Sequence, residues 1–238
     1  MKKLFQAIRK SDMETVTQLL EQEPELVHCI AKQPPKKDDG QSPLQVALKT
    51  GNLEIASYLL DMGADVNFME SEDCCNEWRS PVIHDAIVAA IMNSRWNTNS
   101  SISGFEVFST KEKADQAYEI LKRMLEAEAD VNAKDSYGIS CLWRFCQQAR
   151  QILPTYNHVE QKLSDNRIMT DELKEDLTRI YLLLLKHGMD LDYIAPMFSS
   201  TARELYEKEP LGSVLNCTEE SVKKRGIVNK VRGWLNVK

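Results

Sequence analysis

The stretch "DDGQSPLQVALKTGNLEIASYLLDMGADVN", residues 38–67, decides how this chain folds. It contains a glycine turn, two segments of helical length and an ending of small and polar residues. Ser42 is a suitable helix N-cap, and Pro43 fits the first helical turn because its missing N–H has no intrahelical partner there. Leu44 and Ala47 begin an apolar face at helical spacing. A unit of this length cannot cover that face by itself.

The same pattern recurs along the chain. The opening "SPLQVAL" has counterparts in "PVIHDAI" (81–87), "SCLWRFC" (140–146) and, more weakly, "TARELYE" (201–207). The ending "LLDMGADVN" matches "MLEAEADVN" (124–132) and "LLKHGMDLD" (184–192), and "LFQAIRKSDMETVTQLLEQEPEL" (4–26) is an opening unit without its turn. Stacked copies can bury one another's apolar faces, and about three or more are needed for stability.

These motifs resemble the ankyrin repeat family, whose pattern runs from a glycine turn through T-P-L-H-x-A and two helices to G-A-D-V-N. In the 38–67 unit, Ser42 replaces Thr and Gln45 replaces His. The other matching positions are Gly40, Pro43, Leu44, Ala47, Gly51, Leu59, Leu60, Gly63, Ala64, Asp65, Val66 and Asn67. The resemblance implies an all-α, ankyrin-type helical repeat solenoid with short turn or hairpin fingers.

We expect one domain over residues 1–238, with two units carrying long insertions between their helices. Asn67 and Asn132 are 65 residues apart, and Asn132 and Asp192 are 60 apart, against a repeat of about 33. The first insertion has the Asn and Ser content of a loop, whereas the other insertion is expected to be partly helical before Thr170 caps the next helix. Since they lie in adjacent repeats, they are expected to pack on each other. The predicted units are 1–29 (N-terminal cap), 37–69, 76–134 with insertion 92–113, 135–194 with insertion 150–171, and 195–238 (C-terminal cap).

Charge and composition limit the function classes. The net charge is −6, with 42% hydrophobic and 28% charged residues, as in soluble globular proteins. Residues 221–238 hold six Lys or Arg and no acid, which leaves 24 basic and 36 acidic residues, a net charge of −12, before them. An acidic body repels nucleic acid, so no nucleic-acid partner is expected. No apolar run reaches the roughly 18 residues of a membrane span, and the chain start is charged, so we expect no transmembrane segment and a cytoplasmic protein. The six cysteines lack a CxxC pair and are expected to be reduced.

The family resemblance implies a non-enzymatic scaffold that binds another protein through its concave face and turn tips. Asp39, Trp78 and Tyr137 precede the turn glycine or its equivalent, and Trp and Tyr are frequent interface hot spots. The alternative is that Trp78 folds back over residues 70–75, or that Tyr137 covers a neighbouring turn. An acidic bias on this face favours a partner with basic patches, and the chain itself is expected to be a monomer. The predicted partner-binding residues are Trp78, Tyr137, Asp39, Asp38, Gln41, Glu77, Lys49 and Thr50.

Catalytic and metal chemistry have weaker support. Cys74, Cys75 and His84 are the closest approach to a thiol–imidazole site, but no orienting third group is apparent. His84 matches the histidine of T-P-L-H, which in the family hydrogen-bonds the neighbouring turn. Gln45 and Trp143 replace that histidine in two units, so those turns are expected to be less firmly held by hydrogen bonds. Cys141 and Cys146 lack the spacing and the histidines of a zinc site, and we predict core packing for them, with no metal and no cofactor.

The insertions and the basic tail each allow two interpretations. Trp96, Phe105, Phe108 and Tyr156 make the insertions more aromatic than connecting loops require, which indicates either an additional surface or local core. The basic tail 221–238 places Val228, Val231, Leu235 and Trp234 together. It either caps the open end of the stack, which we favour, or binds an anionic surface such as a membrane or nucleic acid.

Overall fold

The structure is a computed structural model that describes residues 1–157, 159–160 and 162–218. This part of the chain contains ten α-helices in five consecutive pairs. The pairs are α1 (Lys2–Arg9) with α2 (Met13–Gln22), α3 (Pro43–Lys49) with α4 (Leu53–Asp61), α5 (Val82–Met92) with α6 (Lys111–Glu126), α7 (Cys141–Ile152) with α8 (Asp171–Lys186), and α9 (Ala202–Tyr206) with α10 (Gly212–Leu215).

The pairs stack in chain order. The first helices form one row, in which α1 packs on α3, α3 on α5, α5 on α7 and α7 on α9. The second helices form a parallel row in which α2 contacts α4, α4 contacts α6, α6 contacts α8 and α8 contacts α10. Between the rows runs one continuous core, whose fully buried side chains include Leu44, Ile83, Ile87 and Phe145. The predicted solenoid is therefore confirmed.

The helix boundaries follow the local sequence. Ser42 and Gln45 form a capping box at the start of α3, each side chain bonding to the backbone of the other residue. Gly51 and Gly63 follow α3 and α4 with φ of 73° and 82°, a region that favours glycine. Both glycines terminate helices as predicted.

Short fingers connect successive helix pairs. In the first, Ala31 and the turn exchange backbone hydrogen bonds, from Ala31 N–H to Gln41 O (2.8 Å) and from Gly40 N–H to Ala31 O (2.9 Å). Isolated β-bridges join Met69 to Pro81 in the second finger and Lys134 to Ser140 in the third. The fingers therefore have the hairpin character that the family resemblance implied.

Both insertions contain β-hairpins. Between α5 and α6, β1 (Asn97–Ser100) pairs antiparallel with β2 (Gly104–Val107). Between α7 and α8, β3 (Tyr156–Asn157) pairs with β4 (Lys162–Leu163). The expectation of helix in the second insertion was wrong, since α7 ends at Ile152 and the described residues before α8 form only this hairpin and irregular chain.

The two insertions pack on each other, as predicted. Asn97 is fully buried, and its side chain donates to Ile168 O (2.7 Å) and accepts from Ile168 N–H (2.8 Å). Asn99 donates from its backbone to Asn166 O (2.8 Å). Arg95 also anchors the first insertion, because its guanidinium binds both carboxylate oxygens of Asp176, a buried residue of α8, at 2.8 and 2.9 Å. The tail 221–238 and its two interpretations lie outside the described residues.

Candidate protein-binding face

The predicted partner-binding residues divide into an exposed group and a buried pair. Trp78, Tyr137, Glu77, Lys49 and Thr50 are exposed, and Asp39 is half-buried.

Asp38 and Gln41 are only 5% and 3% exposed, so the expectation that they lie on the open face was wrong. Asp38 forms an ion pair with Arg9 of α1, and Gln41 lies at the base of the finger, where its carbonyl accepts from Ala31. Asp38 therefore attaches the first finger to the first unit, and Gln41 closes the finger itself.

Asp39 joins the first finger to the second. Its carboxylate accepts from the backbone N–H groups of Cys75 (2.8 Å) and Gln33 (3.1 Å). These hydrogen bonds, that with Cys75 first, lower the pKa of Asp39, so the group stays ionised. A partner could reach this carboxylate only in competition with the finger backbone.

Trp78 contacts the next finger along the stack. Its Nε1–H donates to Asp135 Oδ2 at 2.8 Å, and the Arg144 guanidinium lies 4.9 Å from the centre of its ring. Arg144 also pairs with Asp135 at 3.3 Å. Trp78 does not fold back over residues 70–75; it bridges forward, and 42% of its surface remains exposed. The side chain is thus held in one orientation while part of its ring faces solvent.

Asp135 organises the third finger, and sequence reasoning missed it. Besides Trp78 and Arg144, its Oδ1 accepts from the backbone N–H groups of Tyr137 (3.0 Å) and Ile139 (2.9 Å). Tyr137 at the tip is 48% exposed. The carboxylate fixes the turn that presents this ring. Arg144 was also missed, because nothing in the sequence pairs an α7 residue with the tip of an earlier finger.

Beneath the fingers, three of the first helices, α3, α5 and α7, bond to the backbone of the following unit. Gln45 Nε2 donates to Ser80 O (3.1 Å), His84 Nε2 lies 3.1 Å from Ala133 O, and Trp143 Nε1 donates to Tyr193 O (3.2 Å). Three different side chains therefore make equivalent contacts. The expectation that Gln45 and Trp143 leave their turns less firmly held by hydrogen bonds was wrong, since amide and indole N–H groups reach the same kind of acceptor as the imidazole.

His84 is buried and neutral. Burial, supported by the charge of Arg144, lowers its pKa to about 4. The neutral ring donates from Nε2 to Ala133 O, and among the described residues Nδ1 has no hydrogen-bond partner. A base of such low pKa is poorly suited to activating a thiol.

A cluster of two buried carboxylates, Glu70 and Asp85, and the exposed Lys49 lies between the second and third units. Lys49 pairs with Glu70 at 2.9 Å and with Asp85 at 3.7 Å, and Gln45 Nε2 donates to Asp85 Oδ2 at 2.9 Å. Burial raises the pKa of Asp85 to about 6 despite the nearby Lys49. The Lys49 ammonium is therefore engaged with two carboxylates, which reduces its availability to a partner.

Within the residues that the structure describes, the cysteines do not group into a reactive or metal site. In the part of the chain that the structure describes, no hydrogen bond joins Cys74 or Cys75 to His84. Cys75 Sγ instead faces Lys36 O at 3.8 Å, and partial desolvation, followed by the neighbouring Asp39 carboxylate, raises the pKa of this thiol. Cys141 and Cys146 are fully buried, which raises the pKa of both thiols, and no cluster of three or more metal-ligating side chains occurs among the described residues.

The aromatic residues of the insertions have different environments. Trp96 and Phe108 stack with their ring centres 4.4 Å apart, and Trp96 is half-buried. Tyr156 is half-buried in the second hairpin, whereas Phe105 is half-exposed on β2. Trp96 packs against the edge of the core, whereas Phe108 (45% exposed) and Phe105 contribute to a surface.

Stacked helix pairs joined by hairpin fingers define the class of helical-repeat solenoids. A family model described as ankyrin repeats, in three copies, matches residues 3–91, so this part of the chain consists of ankyrin repeats. Such repeats are typically protein–protein interaction modules, and the comparison found no enzyme domain. A search of curated proteins gave no match. Within the described residues, none of the helices has the length and apolar character needed to cross a membrane.

Proposed function

We propose that this chain is a non-enzymatic scaffold that binds another protein through its finger tips and the neighbouring concave face. The observation that supports the proposal is the pair of aromatic tips on adjacent fingers, Trp78 and Tyr137, both organised by the buried carboxylate of Asp135. A rigid aromatic side chain loses little conformational freedom on binding, which favours affinity.

The charge around these tips favours a partner with basic patches. Glu77 is exposed beside Trp78, and the side chain of Glu72 is 90% exposed although it pairs with Arg79 at 3.4 Å. Exposed carboxylates act mainly on the association rate and on partner choice. Binding should therefore weaken as salt rises.

The remaining parts of the proposal are a monomeric chain in the cytoplasm that needs no cofactor. All six cysteines are free thiols, which suits a reducing compartment. The enzyme alternative with Cys74, Cys75 and His84 gains no support from the contacts described above.

The test is affinity capture with the full chain, followed by mass spectrometry and titration of the captured protein. Tyr137→Ala and Glu77→Lys are the informative variants, because neither side chain makes a hydrogen bond among the described residues. Leu163→Ala and Glu21→Lys are matched controls, since both residues are exposed and lie outside the fingers, on β4 of the second insertion and on α2.

We expect Tyr137→Ala to weaken binding by about tenfold or more, as for an interface hot spot, with both controls unchanged. If the captured protein binds the two tip variants as tightly as it binds the controls, the proposed face is wrong.

A further inference from the structure

The first insertion presents an unpaired strand edge. In the β1–β2 hairpin, Phe108 N–H donates to Trp96 O (2.9 Å), and Asn97 pairs with Val107 and Asn99 with Phe105. Because hydrogen-bonded and non-hydrogen-bonded pairs alternate in antiparallel strands, the backbone groups of Phe105 and Val107 point away from β1.

The second insertion covers the opposite edge only. The outward N–H of Asn99 on β1 is used by Asn166 O, so residues 165–168 run beside β1. In the described residues, no hydrogen bond reaches the backbone N–H or C=O of Phe105 or Val107. The β1–β2 hairpin therefore has one closed edge, at β1, and one open edge, at β2.

The side chains of β2 are suited to contact. All four residues are exposed, with Phe105 at 50% and Val107 at 46%, and Ile102 at the hairpin tip is almost wholly exposed. Strands with an open edge commonly carry Lys, Pro or a bulge that discourages pairing. The strand β2, with the sequence "GFEV", has none of these three; its one charged residue is Glu106, and its register with β1 is regular.

The edge is also rigidly supported. The Trp96–Phe108 stack closes the base of the hairpin, Asn97 ties it to Ile168, and Arg95 ties it to Asp176 of α8. An edge that is already ordered loses little entropy when a segment binds to it.

We propose that the open edge of β2 is a second binding site, which takes an extended segment of another protein as an added strand. The segment would pair with the backbone of Phe105 and Val107 and place apolar residues opposite their side chains. Glu106, between them, occupies a non-hydrogen-bonded position on this edge, where side chains of neighbouring strands come closest. A lysine or arginine opposite Glu106 completes the pairing.

Charge also selects this occupant over a second copy of the chain. Antiparallel self-pairing of β2 centred on Glu106 would bring two like carboxylates into direct opposition, which destabilises a strand pair. The site is separate from the finger tips, so it can succeed or fail independently of the proposed function.

The test uses the full chain and a blocked peptide, Thr-Val-Lys-Val-Thr, with binding followed by titration and by NMR. In the expected register, both valine N–H groups point at β2 and the lysine N–H points away. We expect N-methylation of both valines to abolish binding, whereas N-methylation of the lysine alone leaves it measurable. The amide signals of Phe105 and Val107 should shift on binding.

Two protein variants complete the test. Val107→Pro removes an outward N–H and should reduce affinity by about tenfold, whereas Val107→Thr retains the N–H and should bind. Glu106→Lys should weaken binding of the lysine peptide by about fivefold. It should favour a peptide in which glutamate replaces the central lysine.

Equal binding of the two N-methylated peptides would overturn the proposal, and this comparison does not depend on how Val107→Pro folds. Sedimentation provides a second test. If the chain self-associates and Val107→Pro abolishes the self-association, the edge binds another copy of the chain and the proposal is wrong.

Discussion

Trp78 of the second finger donates to Asp135 of the third across 2.8 Å, so the side chain expected to contact a partner also joins two repeats. The acceptor is a buried carboxylate that Arg144 and two backbone N–H groups also bind. Substitution of Trp78 therefore tests stability as well as recognition, whereas substitution of Tyr137 tests recognition more cleanly.

Trp78→Phe should destabilise the fold by about 1–2 kcal/mol, because a hydrogen bond to a charged, buried acceptor is lost while an aromatic ring remains beside Arg144. Tyr137→Ala should cost about 0.5 kcal/mol or less, as for an exposed side chain. Urea unfolding followed by circular dichroism measures both. Equal losses for the two variants would mean that the Trp78–Asp135 bond contributes nothing.

Gln45→Ala should be strongly destabilising, by about 2–4 kcal/mol, since it leaves Ser80 O and a carboxylate oxygen of Asp85 without a buried donor and removes the capping box. Gln45→His should cost less, because an imidazole can still donate to the neighbouring backbone, as His84 does one unit later. Thermal unfolding of the two variants ranks them, and a histidine variant as unstable as the alanine variant would contradict the equivalence of these side chains.

Asn97→Ala should separate the two insertions. It removes both side-chain bonds to Ile168 from a fully buried site, at a cost of about 2–3 kcal/mol, and should speed hydrogen exchange at the Ile168 amide. Asn99→Ala is the control, since Asn99 is half-buried and its side chain makes one bond, to Asp165 O at 2.9 Å. Unchanged exchange at Ile168 in Asn97→Ala would show that the insertions do not depend on this contact.

His84 and Asp85 should impose opposite pH dependence on stability. The pKa of His84 falls from 6.5 to about 4 on folding, so its contribution is complete above pH 6.5 and is lost as the pH falls through 4. The pKa of Asp85, which faces Lys49, Glu70 and Arg144, rises from 3.8 to about 6. Its contribution is complete below pH 3.8 and is lost as the pH rises through 6.

At pH 7, His84→Gln should therefore be less stable than the unmodified chain. The difference in their free energies of unfolding should shrink by up to about 3 kcal/mol as the pH falls from 7 to 4. Asp85→Asn should show the reverse, because its free energy of unfolding should drop further below that of the unmodified chain over the same range. Urea unfolding at several pH values measures both differences. Parallel stability curves for the three proteins would show that neither group is held at an altered pKa.

The repeat pattern alone predicted most of the fold. The unit of residues 38–67 contains its N-cap, its apolar face and its terminating glycines within thirty residues, so local rules were sufficient to place α3 and α4. The spacing between Asn67, Asn132 and Asp192 likewise located both insertions, since any length beyond a repeat must lie outside the stack.

The binding face and the insertions required the tertiary structure. Asp38 and Asp39 are adjacent acids, yet one is buried against Arg9 and the other reaches Cys75, because the first finger has the first unit on one side and the second finger on the other. Asp135, Arg144 and the open edge of β2 owe their roles to contacts between segments far apart in the chain. Sequence periodicity reports only which residues face the core. Which side chains meet across neighbouring units depends on how the units stack.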